Sequence, residues 1–179
     1  MFKKLAIFGG VTIAIAMGVF GGNLLYRQYL KAESEKAEIA KLNESKLRLA
    51  QEEAKYFVGL TATLQHFNYI TNKKFVSFQE LSGSSVNPPD SENYTYKINL
   101  INDQNFQIIG IPKKENLKLY TFAALIGGDR LYSKLCESGS PTKNEPPRMD
   151  TLNGNEIPCP EGYKTVSDRR SHPQDRYQY

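Results

Sequence analysis

Residues 94–111 read YTYKINLINDQNFQIIGI, and within them Tyr94, Tyr96, Ile98 and Leu100 alternate with Thr95, Lys97 and Asn99. Side chains on a strand point to opposite faces in turn, so this period of two predicts a half-buried strand. Asn102-Asp103 predicts a short turn and Phe106–Ile111 the return strand. Pro112–Asn116 is the next connection, Leu117–Ile126 a third strand rich in Tyr, Phe and Ala, and Gly127-Gly128 a turn into a fourth, Leu131–Cys136. Four consecutive strands with short turns predict an antiparallel meander. Tyr94, Tyr96, Tyr120 and Tyr132 fall on these strands, where aromatic residues are favoured by packing, and are assigned to the core rather than to a sugar- or partner-binding surface.

Upstream of the strands, Arg27 to Tyr69 contains no Pro and a single Gly, Gly59, and is dominated by residues that lose little on entering a helix. Its first half, Lys31–Glu53, is highly charged with sparse apolar positions (Ile39, Leu42, Leu47, Leu49) and reads as a solvated stalk. Further on, Phe57, Leu60, Leu64, Phe67 and Ile70 follow one another at three or four residues, which puts them on one helical face. That stripe, Phe67 included, is expected to cover the meander. Asn72-Lys73-Lys74 ends the helix, and Ser82–Asn93, with Pro88, Pro89 and several Ser, is a loop by composition. The fold class is α+β.

At the start of the chain, Lys3 and Lys4 precede Leu5–Tyr26, where only Thr12 and Asn23 are polar. About 20 apolar helical residues cross a bilayer core, so residues 5–26 are expected to lie in membrane lipid as a permanent anchor. Gly9, Gly10, Gly18, Gly21 and Gly22 suit such a span, where small residues let helices approach. The two lysines favour a cytoplasmic N-terminus, which places everything after Arg27 in a periplasm or lumen. The competing reading is a cleaved secretory signal over residues 1–22, with Ala16-x-Gly18 as the cut.

Net charge is +4 from 23 basic and 19 acidic residues with the signs interspersed except in the last stretch, so no face declares itself a nucleic-acid site. Cys136 and Cys159 bracket a segment with Gly139, Pro141, Pro146, Pro147, Gly154 and Pro158, and both lie on the expected oxidising side. They are predicted to be joined, closing a loop worth about 3 kcal/mol of chain entropy. A metal site is the alternative, opposed by the lack of CxxC spacing or a nearby His. The two histidines are His66, on the helix, and His172, in a polar tail expected to be disordered. No GxSxG, HExxH or phosphate-cradling Gly loop occurs. No catalytic, cofactor-binding or metal-binding residue is nominated and no small-molecule substrate is identified; a membrane-tethered enzyme with a site of scattered Asp, Glu and Ser is the minority reading.

Local sequence carries a resemblance. Glu53-Ala-Lys-Tyr-Phe-Val-Gly59, Gln65 to Tyr69, Lys74-Phe75 and Glu80-Leu81 resemble the helix end and first turn of the cyanobacterial type IV pilin-like G/H family, related to the pseudopilins of general secretion. Glu92-Asn93-Tyr94-Thr95-Tyr96, Glu115-Asn116-Leu117-Lys118-Leu119-Tyr120, Leu135-Cys136-Glu137-Ser138 and Pro158-Cys159-Pro160-Glu161-Gly162 resemble its strand starts and two Cys motifs, in the same order, over Glu53 to Thr165. The resemblance implies a pilin-like fold: a spanning helix continuing into a long helix packed on a four-stranded meander, with a C-terminal disulfide loop. The expected segments are an anchor (1–26), a charged helical stalk (27–53), a pilin-like domain (54–165) and a polar tail (166–179). The family's usual Gly before Phe-Thr-Leu-x-Glu does not appear: Phe2 follows Met1, Lys3 and Lys4 come next, and the first acidic residue is Glu33. The expected function is a non-catalytic structural or interaction subunit of a membrane assembly, with membrane or pilus and secretion proteins as partners. The alternative is a minor pilin or pseudopilin of a type IV pilus or type II secretion apparatus.

Overall fold

The computed structural model describes residues 5–81 and 91–166, with side chains from Tyr26 onward. The chain divides into two compact units, Met1–Lys46 and Leu47–Tyr179. Helix α1 runs from Leu5 to Asn72. In the first unit every described side chain, Tyr26 to Lys46, is exposed, and Lys31 and Glu35 pair across one turn at 3.9 Å. Among the described residues no helix is long and apolar enough to cross a membrane. Apart from Tyr26, the side chains of the predicted span Leu5–Tyr26 lie outside the described ones, as do most of the loop predicted over Ser82–Asn93 and the tail beyond Val166.

In the second unit α1 stops at Asn72 because Lys73 takes a left-handed backbone (φ 57°), donating its amide to Tyr69 O at 2.8 Å, while Asn68 Nδ2 donates to Lys74 O. A four-residue helix, α2 (Phe78–Leu81), follows where sequence reading saw none. Its start is a capping box: Ser77 N and Oγ both donate to Glu80 Oε2, and Glu80 N donates back to Ser77 Oγ. Those bonds to the carboxylate, the backbone one foremost, hold the Glu80 pKa below its ordinary value.

The strands are β1 (Tyr94–Asn102), β2 (Asn105–Pro112), β3 (Tyr120–Gly127), β4 (Arg130–Ser138) and β5 (Tyr163–Thr165), antiparallel in the order β1-β2-β3-β4-β5. The expected four-stranded meander is therefore five-stranded. The addition has a local cause: β4 leaves an open edge, the Cys136–Cys159 bond brings the chain back beside it, and Tyr163, Lys164 and Thr165 pair with Ser138, Glu137 and Cys136.

The helix covers one sheet face, but with a different stripe from the one expected. Ala50, Ala54, Phe57, Val58, Thr61 and Gln65 are buried, whereas Leu60, Leu64, Phe67 and Ile70 are exposed, Phe67 at 65 %. Of the predicted stripe only Phe57 is core. The reason lies in the sheet, which supplies the bulk: Tyr94, Tyr96, Phe106 and Tyr120 are at most 4 % exposed and stand on the helix-facing side. Phe57 and Tyr96 pack at 4.1 Å between ring centroids, and Phe75 and Phe106 at 4.4 Å. A layer this full of aromatic rings leaves room on the helix chiefly for small residues, Ala50, Ala54, Val58 and Thr61, with Phe57 the one helix ring buried among them. Gly110 belongs to the same crowding, because a Cβ there would come within 3.3 Å of the Tyr96 ring.

Candidate interaction surface

Turning the small residues of α1 inward turns its large ones outward. Leu49, Tyr56, Leu60, Phe67 and Ile70 are spaced seven, four, seven and three residues apart, so they recur on one side of the helix, away from the sheet. Their exposures run from 42 % at Leu60 and Ile70 to 72 % at Tyr56, with Leu64 beside them at 36 %. Isolated exposed apolar residues are ordinary, but a row of six large ones along nearly six turns of one helix is a patch of the kind that marks a binding surface. Gly59 adds an open position on this side, with nothing within 4 Å of a Cβ built there.

The face is held rigid from behind. Gln65, fully buried, donates through Nε2 to Val76 O and accepts from Val76 N at 3.0 Å. Near the other end of the contact, Glu53 accepts from Ser91 Oγ and from Asn93 Nδ2, and Tyr120 OH donates to Gln51 Oε1 at 3.3 Å. Lys55 Nζ stands 5.7 Å from the Tyr120 ring centre. Tyr94 OH donates to Lys118 O at 2.9 Å. Burial above all raises the pKa of Tyr94, Tyr96 and Tyr120 well above the ordinary phenol value of 10.0, with neighbouring Glu53 or Glu137 adding to it. These phenols stay protonated at any physiological pH and act as packing groups, as the strand pattern indicated. Tyr132 is half-buried in the second core on the other side of the sheet.

That second core lies under a strap, residues 139–160, which crosses the far face of the sheet strand by strand. Glu145 pairs with Lys97 on β1, Pro147 O accepts from Gln107 Nε2 on β2 at 3.2 Å, Met149 meets Thr121 on β3, and Glu156 pairs with Lys134 on β4 at 3.2 Å. Met149 and Ile157 are buried against Ala123 and Cys136. The Cys136–Cys159 disulfide joins the strap's far end to β4, with Cα atoms 5.8 Å apart.

His66 is half-buried on α1. Among the described residues no three His, Cys, Asp or Glu side chains are placed to hold a metal ion. Helical spacing alone does not tell the outward row from the core row, since both faces of this helix carry residues at that spacing. The signal that separates them is size: Ala50, Ala54, Val58 and Thr61 are the residues that fit against strands whose inward positions are Tyr and Phe.

Residues 51–160 match the sequence profile of the family described as type IV pilin-like G and H. Comparison with curated proteins gives no match, nor does comparison with solved structures.

Proposed function

The chain belongs to the type IV pilin-like G and H family, and on that premise we propose that it is a non-catalytic, membrane-anchored subunit that binds another protein of a membrane assembly through the outward face of α1. The exposed row Leu49, Tyr56, Leu60, Phe67 and Ile70 carries this reading, because a rigid apolar helix face of this length is matched best by the apolar side of another helix. Membership of that family supports a pilus or secretion subunit as the class of partner. Leu5–Tyr26 supports the anchor by its length and lack of charge, with Lys3 and Lys4 on the cytoplasmic side and the domain in the periplasm or lumen.

Whether that assembly is a pilus fibre turns on the same lysines. Drawing Lys3 and Lys4 through the bilayer to enter a fibre costs at least about 2.5 kcal/mol for each on insertion scales, which favours a span that stays in place. Sheared surface filaments from the native cell should then lack this chain while the membrane fraction keeps it. Stoichiometric presence in filaments would restore the minor-pilin reading. The partner-binding reading is tested by detergent extraction of native membranes from cells carrying either the wild-type chain or a Tyr56→Asp/Phe67→Asp chain. A membrane protein retained by the first and lost by the second, at equal expression, is the expected result.

A further inference from the structure

Besides its disulfide, the strap over the far face of the sheet is held by a few hydrogen bonds, among them Gly139 N to Gly162 O and Ser138 Oγ to Ser140 O, each at 2.7 Å, and by two ion pairs. Residues 139–160 contain no strand, only the isolated bridge between Asn153 and Glu156. Two side chains, Met149 and Ile157, are buried by it. Its ion pairs, Lys97–Glu145 and Lys134–Glu156, have exposed glutamates and contribute little. What the strap covers is partly polar. Gln107 is completely buried, and although its Nε2 donates to Pro147 O and Thr121 Oγ1, its Oε1 has no hydrogen-bond partner among the described residues. Asn105, two residues earlier on the same strand and 3 % exposed, has an unpartnered Oδ1 as well. Covering a carbonyl without a partner opposes closure, and uncovering it returns it to water.

We propose that Cys136–Cys159 is a redox latch: while the bond is intact the strap lies closed on the sheet, and its reduction by a dithiol opens the strap and leaves the helix–sheet core folded. The two sulfurs differ in access, Cys136 being fully buried and Cys159 half-exposed. A dithiol thiolate therefore attacks Cys159 Sγ, forming a mixed disulfide and expelling Cys136 as a thiolate, which takes up a proton. The reductant's second thiol then attacks its own sulfur in the mixed disulfide and releases Cys159. Two electrons pass from the dithiol, which leaves as a cyclic disulfide, to the cystine, which becomes two thiols. The core on the other face shares no residue with this event, because Ala54, Val58, Tyr96, Phe106 and Ile108 pack between helix and sheet.

Met149, 3 % exposed beneath the strap, is the reporter. The detergent-solubilised full chain, before and after reduction with dithiothreitol and thiol capping, is exposed to dilute peroxide, and Met149 sulfoxide is followed by mass spectrometry. Trypsin cleavage after Arg148 is followed in parallel. Both should become at least tenfold faster on reduction, inside the roughly hundredfold change in open fraction that chain entropy gives a loop of this length. A Cys136→Ala/Cys159→Ala chain should behave as the reduced form without any reductant, with amide exchange in β1 and in residues 54–61 unchanged. Met149 staying protected after complete reduction would overturn the proposal. Loss of protection in β1 and the helix together with the strap would overturn it too, since the bond would then be a staple of the whole fold.

Discussion

Gln65 and Val76, eleven residues apart, exchange two hydrogen bonds: the Gln65 amide oxygen accepts from Val76 N at 3.0 Å and its nitrogen donates to Val76 O. A side chain here does what a neighbouring strand does elsewhere, satisfying both backbone groups of a buried residue, since Val76 is 4 % exposed. It also fixes the angle at which the chain turns back from the end of α1 toward the sheet.

Gln65→Leu keeps the volume and removes both bonds, leaving the Val76 amide and carbonyl buried without partners. The expected loss is about 2–4 kcal/mol in denaturant unfolding. A loss under half a kcal/mol would mean that the Val76 backbone finds water instead.

The two phenylalanines of α1 should respond in opposite ways. Phe57→Ala, in contact with Tyr96 and Phe78, should cost about 3–5 kcal/mol, as truncation of a buried aromatic does. Phe67→Ala should fall within about 0.5 kcal/mol of the parent, because most of its surface is already in water. Thermal melts of the two variants side by side give the answer.

The tyrosine core sets an alkaline limit. Tyr94, Tyr96 and Tyr120 have folded pKa values above the ordinary phenol value of 10.0, while in the unfolded chain they return to it. Above that value the unfolded state binds fewer protons than the folded one, so stability falls as pH rises through it. Below it this contribution is flat. Absorbance at the phenolate band should show Tyr94, Tyr96 and Tyr120 ionising only together with loss of helix signal.

Much of this architecture is legible in the sequence because its signals are local. The alternation at Tyr94–Ile98, which stops short of the exposed Leu100, the turns at Asn102-Asp103 and Gly127-Gly128, and the helix-favouring composition before Tyr69 each need no partner to be read. β5 is not legible in that way. Three residues, Tyr163 to Thr165, form a strand only because a bond to Cys136 carries them to an open edge, and no pattern that short distinguishes strand from tail. Which helix face meets the sheet is not legible for a related reason. Periodicity states that two faces exist, and only the sizes of the residues on the sheet decide which one fits; Tyr94, Tyr96 and Tyr120 select Ala54 and Val58 over Leu60 and Phe67.

The claim that the outward face of α1 is an occupied interface is tested most directly by crosslinking from that face in native membranes. A photoreactive phenylalanine analogue placed at Tyr56 or Phe67 of the full chain, and at Val58 as a buried control, is irradiated in intact cells. The account predicts the same protein adduct from positions 56 and 67, recovered in the membrane fraction, and no such adduct from position 58. Labelling of lipid or water alone from both exposed positions, with the chain present in the membrane at normal abundance, would contradict it.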